Sequence, residues 1–234
     1  RLKDLLEIPD DGGPIRFHGE RALILDTVAL GVLRHELIER LGVSGARAIL
    51  TRFGWIHGWR TAESLRESVE FESDSEWRKA GGRLHTLQGM VLLEPVQRGP
   101  GDGPPRFAEA VWRESYEAEQ HLLMHGQSEE PVCWSLCGFA SGYLSRAMGR
   151  EFYFFEDRFV GCGDATCQVV GYEKDDLPER HADEIRFFKD VCLESAVNDL
   201  TEKLKRTEQK LRRRKIELAR AVPEADDPSG IVAK

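Results

Sequence analysis

The stretch VCWSLCGFASGYLSRAM, residues 132–148, decides the fold class of this chain. We read it as a helix, and its small residues allow another segment to pack closely against it. The small residues in question are Gly138, Ala140, Ser141 and Gly142. Two short apolar segments follow at 151–155 and 167–172, and they are typical of strands on either side of a turn rich in Gly and Cys. A helix packed on an antiparallel strand pair predicts an α+β fold.

The segments before this stretch also mix helical and strand patterns. Apolar residues at helical spacing predict helices at 20–42, 44–57, 63–69 and 114–124. Gly42 is expected to end the first of them. Strand patterns occur at 85–93 and 107–112, and alternation in the second places Ala108, Ala110 and Trp112 on one face. We therefore predict an α+β domain of mixed helices and antiparallel strands.

Composition excludes several classes of protein. The chain has 234 residues, 41% of them hydrophobic and 32% charged, which is typical of a soluble globular protein. No apolar run approaches the roughly 20 residues that span a bilayer. The net charge of -8 argues against direct nucleic-acid contact by this segment. Five cysteines without a signal peptide favour the reducing cytoplasm.

The sequence changes character after Pro178, where one long helix is predicted. Apolar residues spaced alternately four and three apart over 193–221 predict a short coiled coil that pairs two copies of the chain. A single helix docked on the domain is the alternative. We divide the chain into an N-terminal half (1–125), a second half (126–178), a helical linker (179–222) and the beginning of another domain (223–234).

Three thiols and one carboxylate form a possible metal site. Cys133, Glu156, Cys162 and Cys167 surround the predicted helix and hairpin. A closed set of four such ligands suits a structural Zn²⁺ ion, which would staple the hairpin. The alternative is that the cysteines are unrelated core residues, which are common in proteins.

His85 and Trp112 form a possible ligand site. The indole N–H donates only, whereas an imidazole donates or accepts, so the pair could hold a hydroxyl group between two neighbouring strands. From the residues alone, a buried core histidine and tryptophan are the more common arrangement. Aromatic residues at 107, 143, 152, 154 and 155 could line an apolar space. We find no catalytic motif of a known nucleophilic or metal-dependent enzyme.

Several segments resemble a known family. Residues 131–134 (PVCW), 138–143 (GFASGY), 148–151 (MGRE) and 167–171 (CQVVG), with Glu156, resemble the vinyl-4-reductase type domain of XylR/DmpR-like activators of phenol and toluene breakdown. Residues 84–91 (LHTLQGMV) and the strand at 109–112 resemble the sensor half of those activators. The resemblance covers residues 15–175. Residues 230–234 are similar to the entry into the family's AAA+ ATPase.

The resemblance implies roles for named residues. It implies that His85 and Trp112 hold a phenol hydroxyl and that Tyr143 and Phe154 are pocket walls. Ala110 stands where a bulky aromatic is expected and Cys137 is at a wall position, so the cavity should accept substituted phenols.

The resemblance also implies a structural zinc at Cys133, Glu156 and Cys167. Its fourth ligand would be a cysteine at position 159, which is Phe159 here. We therefore expect Cys162 to supply the missing thiol.

The resemblance implies a regulatory function without catalysis. We expect a homodimeric sensor that binds phenol or a substituted phenol and relieves repression of an attached AAA+ ATPase. That ATPase would then activate transcription with sigma-54 RNA polymerase through domains outside this chain. Two alternatives are a zinc-stapled dimerisation scaffold without a ligand and a phenol-transforming enzyme with His85 as base.

Overall fold

Helices and an antiparallel sheet together form the fold in a computed structural model of the chain. The structure describes residues 5–97, 106–189, 207 and 210–215. Its two compact units are Arg1–Val191 and Cys192–Lys234. The predicted coiled coil, apart from a short helical stretch at 210–215, and the predicted entry into another domain lie outside the described residues.

Four α-helices lie in the described part of the first unit. They are α1 (Thr27–Ser68), α2 (Asp74–Leu87), α3 (Tyr116–His125) and α4 (Trp134–Met148). Side chains cap the first three, since Asp26, Ser73 and Ser115 accept backbone N–H groups of the first turns. Short 3₁₀ segments are Val160–Cys162, Lys174–Asp176 and Glu179–Phe187. None of these described helices is long and apolar enough to cross a membrane.

Seven strands form two antiparallel sheets within the described residues. The small sheet contains β1 (Leu6–Glu7), β2 (Ile15–Phe17) and β3 (Glu20–Ala22). The larger sheet contains β4 (Leu92–Pro95), β5 (Ala108–Arg113), β6 (Phe152–Arg158) and β7 (Cys167–Glu173) in the order β4-β5-β7-β6. Mixed helices with an antiparallel sheet confirm the predicted α+β class.

The predicted helix at 132–148 is confirmed as α4, and it packs directly on α1. A Cβ atom on Gly138 would lie 2.1 Å from Thr51 O, and one on Gly142 would lie 2.0 Å from Trp55 O. Gly54 and Gly58 of α1 approach α4 equally closely. The two backbones are therefore in contact, as the small residues predicted.

Two predictions about secondary structure were wrong. Residues 20–22 form β3, and α1 begins only after Asp26. The predicted strand at 85–93 begins within α2, which runs to Leu87, and the strand itself begins only at Leu92. By contrast, the expected end of the first helix at Gly42 is confirmed, because Gly42 adopts φ 73° and ψ 166°, which is not helical, and two helical segments meet there at a kink within α1.

The segment after Pro178 also differs from the prediction. Residues Glu179–Phe187 form a 3₁₀ helix rather than the first turns of one long α-helix. This segment packs back on the sheet, where His181 and Phe187 are buried. The predicted boundaries at 125 and 178 both fall inside the first compact unit.

Candidate ligand and metal sites

His85 and Trp112 meet in the core, but from a helix and a strand rather than from two strands. His85 is in the last turn of α2 and Trp112 is on β5. Their rings contact edge to face with centroids 5.8 Å apart, and each residue is only 1% exposed. The sequence therefore predicted the pair correctly and the element that carries His85 incorrectly.

The polar atoms of this pair have no protein partner. Both ring nitrogens of His85 and the indole nitrogen of Trp112 are buried without a hydrogen bond. A buried polar group that lacks a partner costs about 1–3 kcal/mol, so such groups usually have a ligand, water or functional role. Burial, and secondarily the nearby His57, lowers the pKa of His85 to about 3. Its imidazole is therefore neutral and can donate one hydrogen bond and accept one.

The sheet register places most predicted wall residues on one face. Across neighbouring strands, Trp112 is opposite Cys167, Ala110 is opposite Val169, and Phe154 is opposite Gly171. Ala110 and Phe154 pack against the same apolar cluster as Trp112 and Cys137. The face that carries the ligand candidates thus lies beneath α4.

Tyr143 is in the neighbouring cluster rather than beside Trp112. It packs with Phe139 and Leu84, and its ring lies against Gly81 of α2, one turn before His85. Its hydroxyl donates to Trp77 O at 2.8 Å. The Tyr143 hydroxyl is therefore occupied within the protein, which leaves the ring as the part that can form a wall.

Two aromatic rings near His85, those of Phe139 and His57, were not predicted from the sequence as site residues. The Phe139 ring centroid is 4.6 Å from that of His85 and 5.0 Å from that of His57. Phe139 precedes Tyr143 by four residues on α4, so the helical period places both on one side. This spacing was visible in the sequence, but the contact of the Phe139 ring with His85 on α2 was not.

Three predicted metal ligands meet beneath the N-terminus of α4. Ligand atoms of Cys133, Glu156 and Cys167 all lie within 4.8 Å of one another, and the two sulfurs are 3.9 Å apart. Glu156 Oε2 accepts the backbone N–H groups of Val132 and Cys133, whereas Oε1 is buried without a partner. This geometry suits a zinc ion, which takes thiolate and carboxylate ligands.

The electrostatics of this cluster also fit a cation. Burial above all, then the hydrogen bond with Cys167 and the charge of Glu156, raises the pKa of the Cys133 thiol. A bound cation would reverse this shift, because a coordinating thiol loses its proton. The orphaned oxygen of Glu156 would gain a partner in the same step.

Cys162 is not part of this cluster in the structure. Its side chain is exposed, and its thiol donates to Phe159 O at 3.2 Å. The 3₁₀ turn at Val160–Cys162 directs the thiol away, because the backbone N–H of Cys162 also closes on Phe159 O. Three of the four predicted ligands are therefore brought together.

A second buried carboxylate supports the same helix end. Glu117 of α3 accepts the N–H groups of Ser135 and Leu136, and it pairs with Arg34 of α1 at 3.1 Å. The side chains of Arg34 and Glu117 are 4% and 3% exposed. Negative carboxylates stabilise the positive end of the helix dipole, so α1, α3 and β6 together hold the start of α4.

Two cavities differ in size and character. One of about 20 Å³ is lined by Cys137 and Phe154 together with Cys133 and Glu156, and it has room for about one water molecule. The other is a groove of about 270 Å³ on α1 and α3, lined mainly by apolar residues such as Leu33, Ile49 and Phe53. An aromatic ligand at His85 therefore requires the packed core to open slightly.

Comparison with known proteins identifies relatives of this chain. A family sequence model described as "Activator of aromatic catabolism" (XylR_N) matches residues 1–98. The chain is 33% identical over 171 residues to the phenol regulator MopR of Acinetobacter guillouiae, a match that covers 73% of this chain. It is 35% identical over 160 residues to the transcriptional regulatory protein XylR of Pseudomonas putida, covering 68% of this chain.

A solved structure is also similar. The phenol-responsive sensory domain of the transcription activator PoxR, crystallised with phenol, matches with a TM-score of 0.71 and 32% identity. The match covers 80% of this chain and 94% of that domain. By contrast, the chain spans only 30% of MopR and 28% of XylR.

The fold is that of a sensory domain from a transcription activator. The relatives are regulatory proteins rather than enzymes. The chain belongs to the XylR/DmpR-like family of activators of aromatic catabolism and is an N-terminal sensor domain of that family.

Proposed function

We propose that this sensor domain binds phenol or a small substituted phenol between His85 and Trp112. One observation carries the proposal: the three ring nitrogens of this pair are buried and have no protein partner. A phenol hydroxyl can donate one hydrogen bond and accept another, which matches a neutral imidazole beside an indole N–H. The names of MopR and PoxR, which refer to phenol, support the same ligand class.

The energetics favour an aromatic ring that carries a hydroxyl. Burying about 150 Å² of ring surface contributes about 4 kcal/mol at 25 cal/mol per Å². Each hydrogen bond adds about 1 kcal/mol, and a ligand without a hydroxyl leaves the buried nitrogens unpaired. Ala110 has a small side chain on the face that carries Trp112, so a methyl substituent would fit there once the packed core opens around the ring. Ring burial thus provides affinity and the hydroxyl provides selectivity.

A structural zinc ion is the second part of the proposal. Cys133, Glu156 and Cys167 would hold it, and water would complete the tetrahedral set because the Cys162 thiol points away. When bound, the ion neutralises the buried thiolates and stabilises the folded hairpin. These residues position the start of α4 and carry out no reaction.

We further infer that the domain acts through other parts of a longer protein. Phenol shifts an equilibrium only if it binds one sensor arrangement more tightly than another. The favoured arrangement would release an attached AAA+ ATPase, which then works with sigma-54 RNA polymerase in the cytoplasm. No bond of the ligand is broken in this scheme, and the domain itself contacts neither DNA nor membrane.

A homodimer is expected to form through the groove face of α1. Large apolar side chains there are exposed, including Leu33 at 53% and Phe53 at 58%. Monomeric proteins rarely expose contiguous apolar patches of this kind. The predicted coiled coil at 193–221 would add a second contact between the two copies.

Calorimetry tests the ligand proposal directly. Phenol and 3-methylphenol should bind saturably to the full chain, and toluene should bind at least tenfold more weakly. His85→Ala should remove phenol binding, whereas His181→Ala should not, because His181 stacks on Phe155 on the opposite face of the sheet. Equal affinity of His85→Ala and the unaltered chain for phenol would overturn the assignment.

A further inference from the structure

A second group of metal-ligating side chains lies between α1 and α3, apart from the cysteine cluster. His35 and Glu39 are four residues apart on α1, so they share one face of the helix. His125 ends α3 opposite them. One ligand atom from each of the three residues lies within 4.8 Å of the other two.

One ring nitrogen of each imidazole in this group is buried without a partner. His35 Nδ1 and His125 Nε2 are buried without a hydrogen bond, and the two ring centroids are 5.1 Å apart. An imidazole nitrogen that has no hydrogen bond is free to ligate a metal ion, and imidazole is the most common metal ligand in proteins.

Charge around the group has to be considered, because a cation is repelled by nearby positive groups. Arg34 lies in this region, with its Nη2 3.5 Å from His121 Nδ1, but its charge is paired with Glu117 at 3.1 Å. Glu39 supplies a negative charge within the group itself. Because the positive charge of Arg34 is paired with Glu117 and Glu39 adds a negative charge, the surroundings of this group do not repel a divalent cation.

We propose that His35, Glu39 and His125 form a second metal site that binds a divalent first-row transition ion, such as Zn²⁺. Two imidazoles and a carboxylate are ligands that zinc, nickel and cobalt accept. In a tetrahedral zinc site, ligand atoms about 2.1 Å from the ion are about 3.4 Å apart. The exposed Glu39 side chain can rotate to close the remaining distance. Water would occupy the fourth position.

Bound metal at this site would join two elements that support α4. The α1 turn that carries His35 also carries Arg34, and α3 carries Glu117 as well as His125. An ion held by both helices therefore fixes the Arg34–Glu117 pair that contacts the N-terminus of α4. This consequence is separate from phenol binding at His85.

Cobalt titration of the full chain tests this site. The cysteine cluster is first filled with one equivalent of Zn²⁺, and Co²⁺ is then added while absorbance and equilibrium dialysis report binding. We expect one further equivalent of Co²⁺ without the intense thiolate-to-cobalt absorption that cysteine ligands produce. His125→Gln should weaken this binding at least tenfold, and Glu39→Gln at least threefold.

Matched controls separate this site from the cysteine cluster and from misfolding. Glu36→Gln removes the same charge from an exposed position on α1 and should leave Co²⁺ affinity unchanged. Glu39→Gln alters an exposed side chain, so a loss of Co²⁺ affinity in this variant does not result from misfolding of the core. Cys167→Ser should abolish the thiolate absorption band that appears when Co²⁺ is added to the metal-free chain. The same variant should still bind one equivalent of Co²⁺ at His35, Glu39 and His125. Absence of a second equivalent, or one that His125→Gln and Glu39→Gln leave unchanged, would overturn the proposal.

Discussion

The carboxylate of Glu156 accepts the backbone N–H of Cys133 at 2.9 Å, although 23 residues separate them in sequence. This bond orients the Cys133 thiol toward Cys167 while the second oxygen of Glu156 remains unpartnered. One contact therefore both supports the N-terminus of α4 and assembles the proposed zinc ligands. We therefore expect a substitution that disrupts this contact to destabilise the N-terminus of α4 and to weaken metal binding at the same time.

Cys167→Ser should lower zinc content and stability in parallel. It removes one of three clustered ligands, and metal binding contributes to folding free energy. We expect zinc to fall from about one equivalent to near zero and the midpoint of thermal unfolding to fall by about 10 °C. Mass spectrometry of bound metal and calorimetric unfolding measure both. Cys162→Ser is the control, and a similar loss there would restore Cys162 as the fourth ligand.

Trp112→Phe should reduce phenol selectivity without removing the apolar wall. It keeps an aromatic ring and deletes the indole N–H, so one hydrogen bond to the hydroxyl is lost. We expect phenol affinity to fall about tenfold, equivalent to about 1.4 kcal/mol, and toluene affinity to change little. Calorimetry with both ligands measures the difference. Trp59→Phe, at a partly exposed position on α1, should affect neither ligand.

Gly142→Ala should strongly destabilise the domain. The added Cβ would lie 2.0 Å from Trp55 O, and neither helix backbone can move away without disturbing the other. We expect a loss of about 3 kcal/mol or more in the free energy of unfolding. Urea unfolding measures it. Gly82→Ala is a matched helical control, because its Cβ would meet only the flexible Leu93 side chain at 3.3 Å, and a comparable loss there would contradict this interpretation.

Acid should destabilise the domain through His85. The pKa of His85 is about 3 in the folded state and about 6.5 when unfolded, so the unfolded chain binds one more proton between these values. Stability should therefore fall by up to about 1.4 kcal/mol for each pH unit below 6.5 from this group. His85→Gln should reduce that slope in urea unfolding between pH 4 and 6.

His181 should affect the pH dependence of stability in the direction opposite to that of His85. Burial lowers its pKa, but the carboxylates of Asp157, 3.6 Å from Nε2, and Glu184, 2.7 Å from Nδ1, outweigh burial and raise the pKa above the ordinary value. Its contribution to stability is fully present below pH 6.5 and is lost as pH rises through the folded-state pKa. In the unaltered chain, the free energy of unfolding should decrease as the pH rises through the folded-state pKa of His181. His181→Gln should abolish this decrease, which urea unfolding at several pH values measures. A change only on the acidic side would contradict the assigned direction.

Phe53→Glu should weaken self-association. The Phe53 side chain is 58% exposed and borders the apolar groove of α1, so a charge there would be buried if two copies pair through this face. We expect the dimer dissociation constant to rise about a hundredfold, or about 2.7 kcal/mol. Analytical ultracentrifugation measures it. Leu123→Glu, at a 72% exposed position on α3, should leave the constant unchanged.

Much of the fold followed from local patterns in the sequence. Gly138 and Gly142 predicted a helix in close contact with a neighbour, and alternation around Trp112 predicted the buried face of β5. Such signals are local because helix and strand periods determine which residues share a face. The start of α2 was missed because most residues directly after Ser73 are polar, and Trp77 is the first residue of the helix that is buried in the core.

The sequence alone determined the residue types at the two sites, since thiols, a carboxylate, an imidazole and an indole are recognisable before folding. Tertiary structure alone decided which of them meet. Glu156 joins Cys133 and Cys167 through strand register, whereas the turn at Val160–Cys162 turns Cys162 outward. His35 and His125 are 90 residues apart in sequence and come together only when α3 packs on α1. Contacts of that kind depend on how helices dock, which no local period encodes.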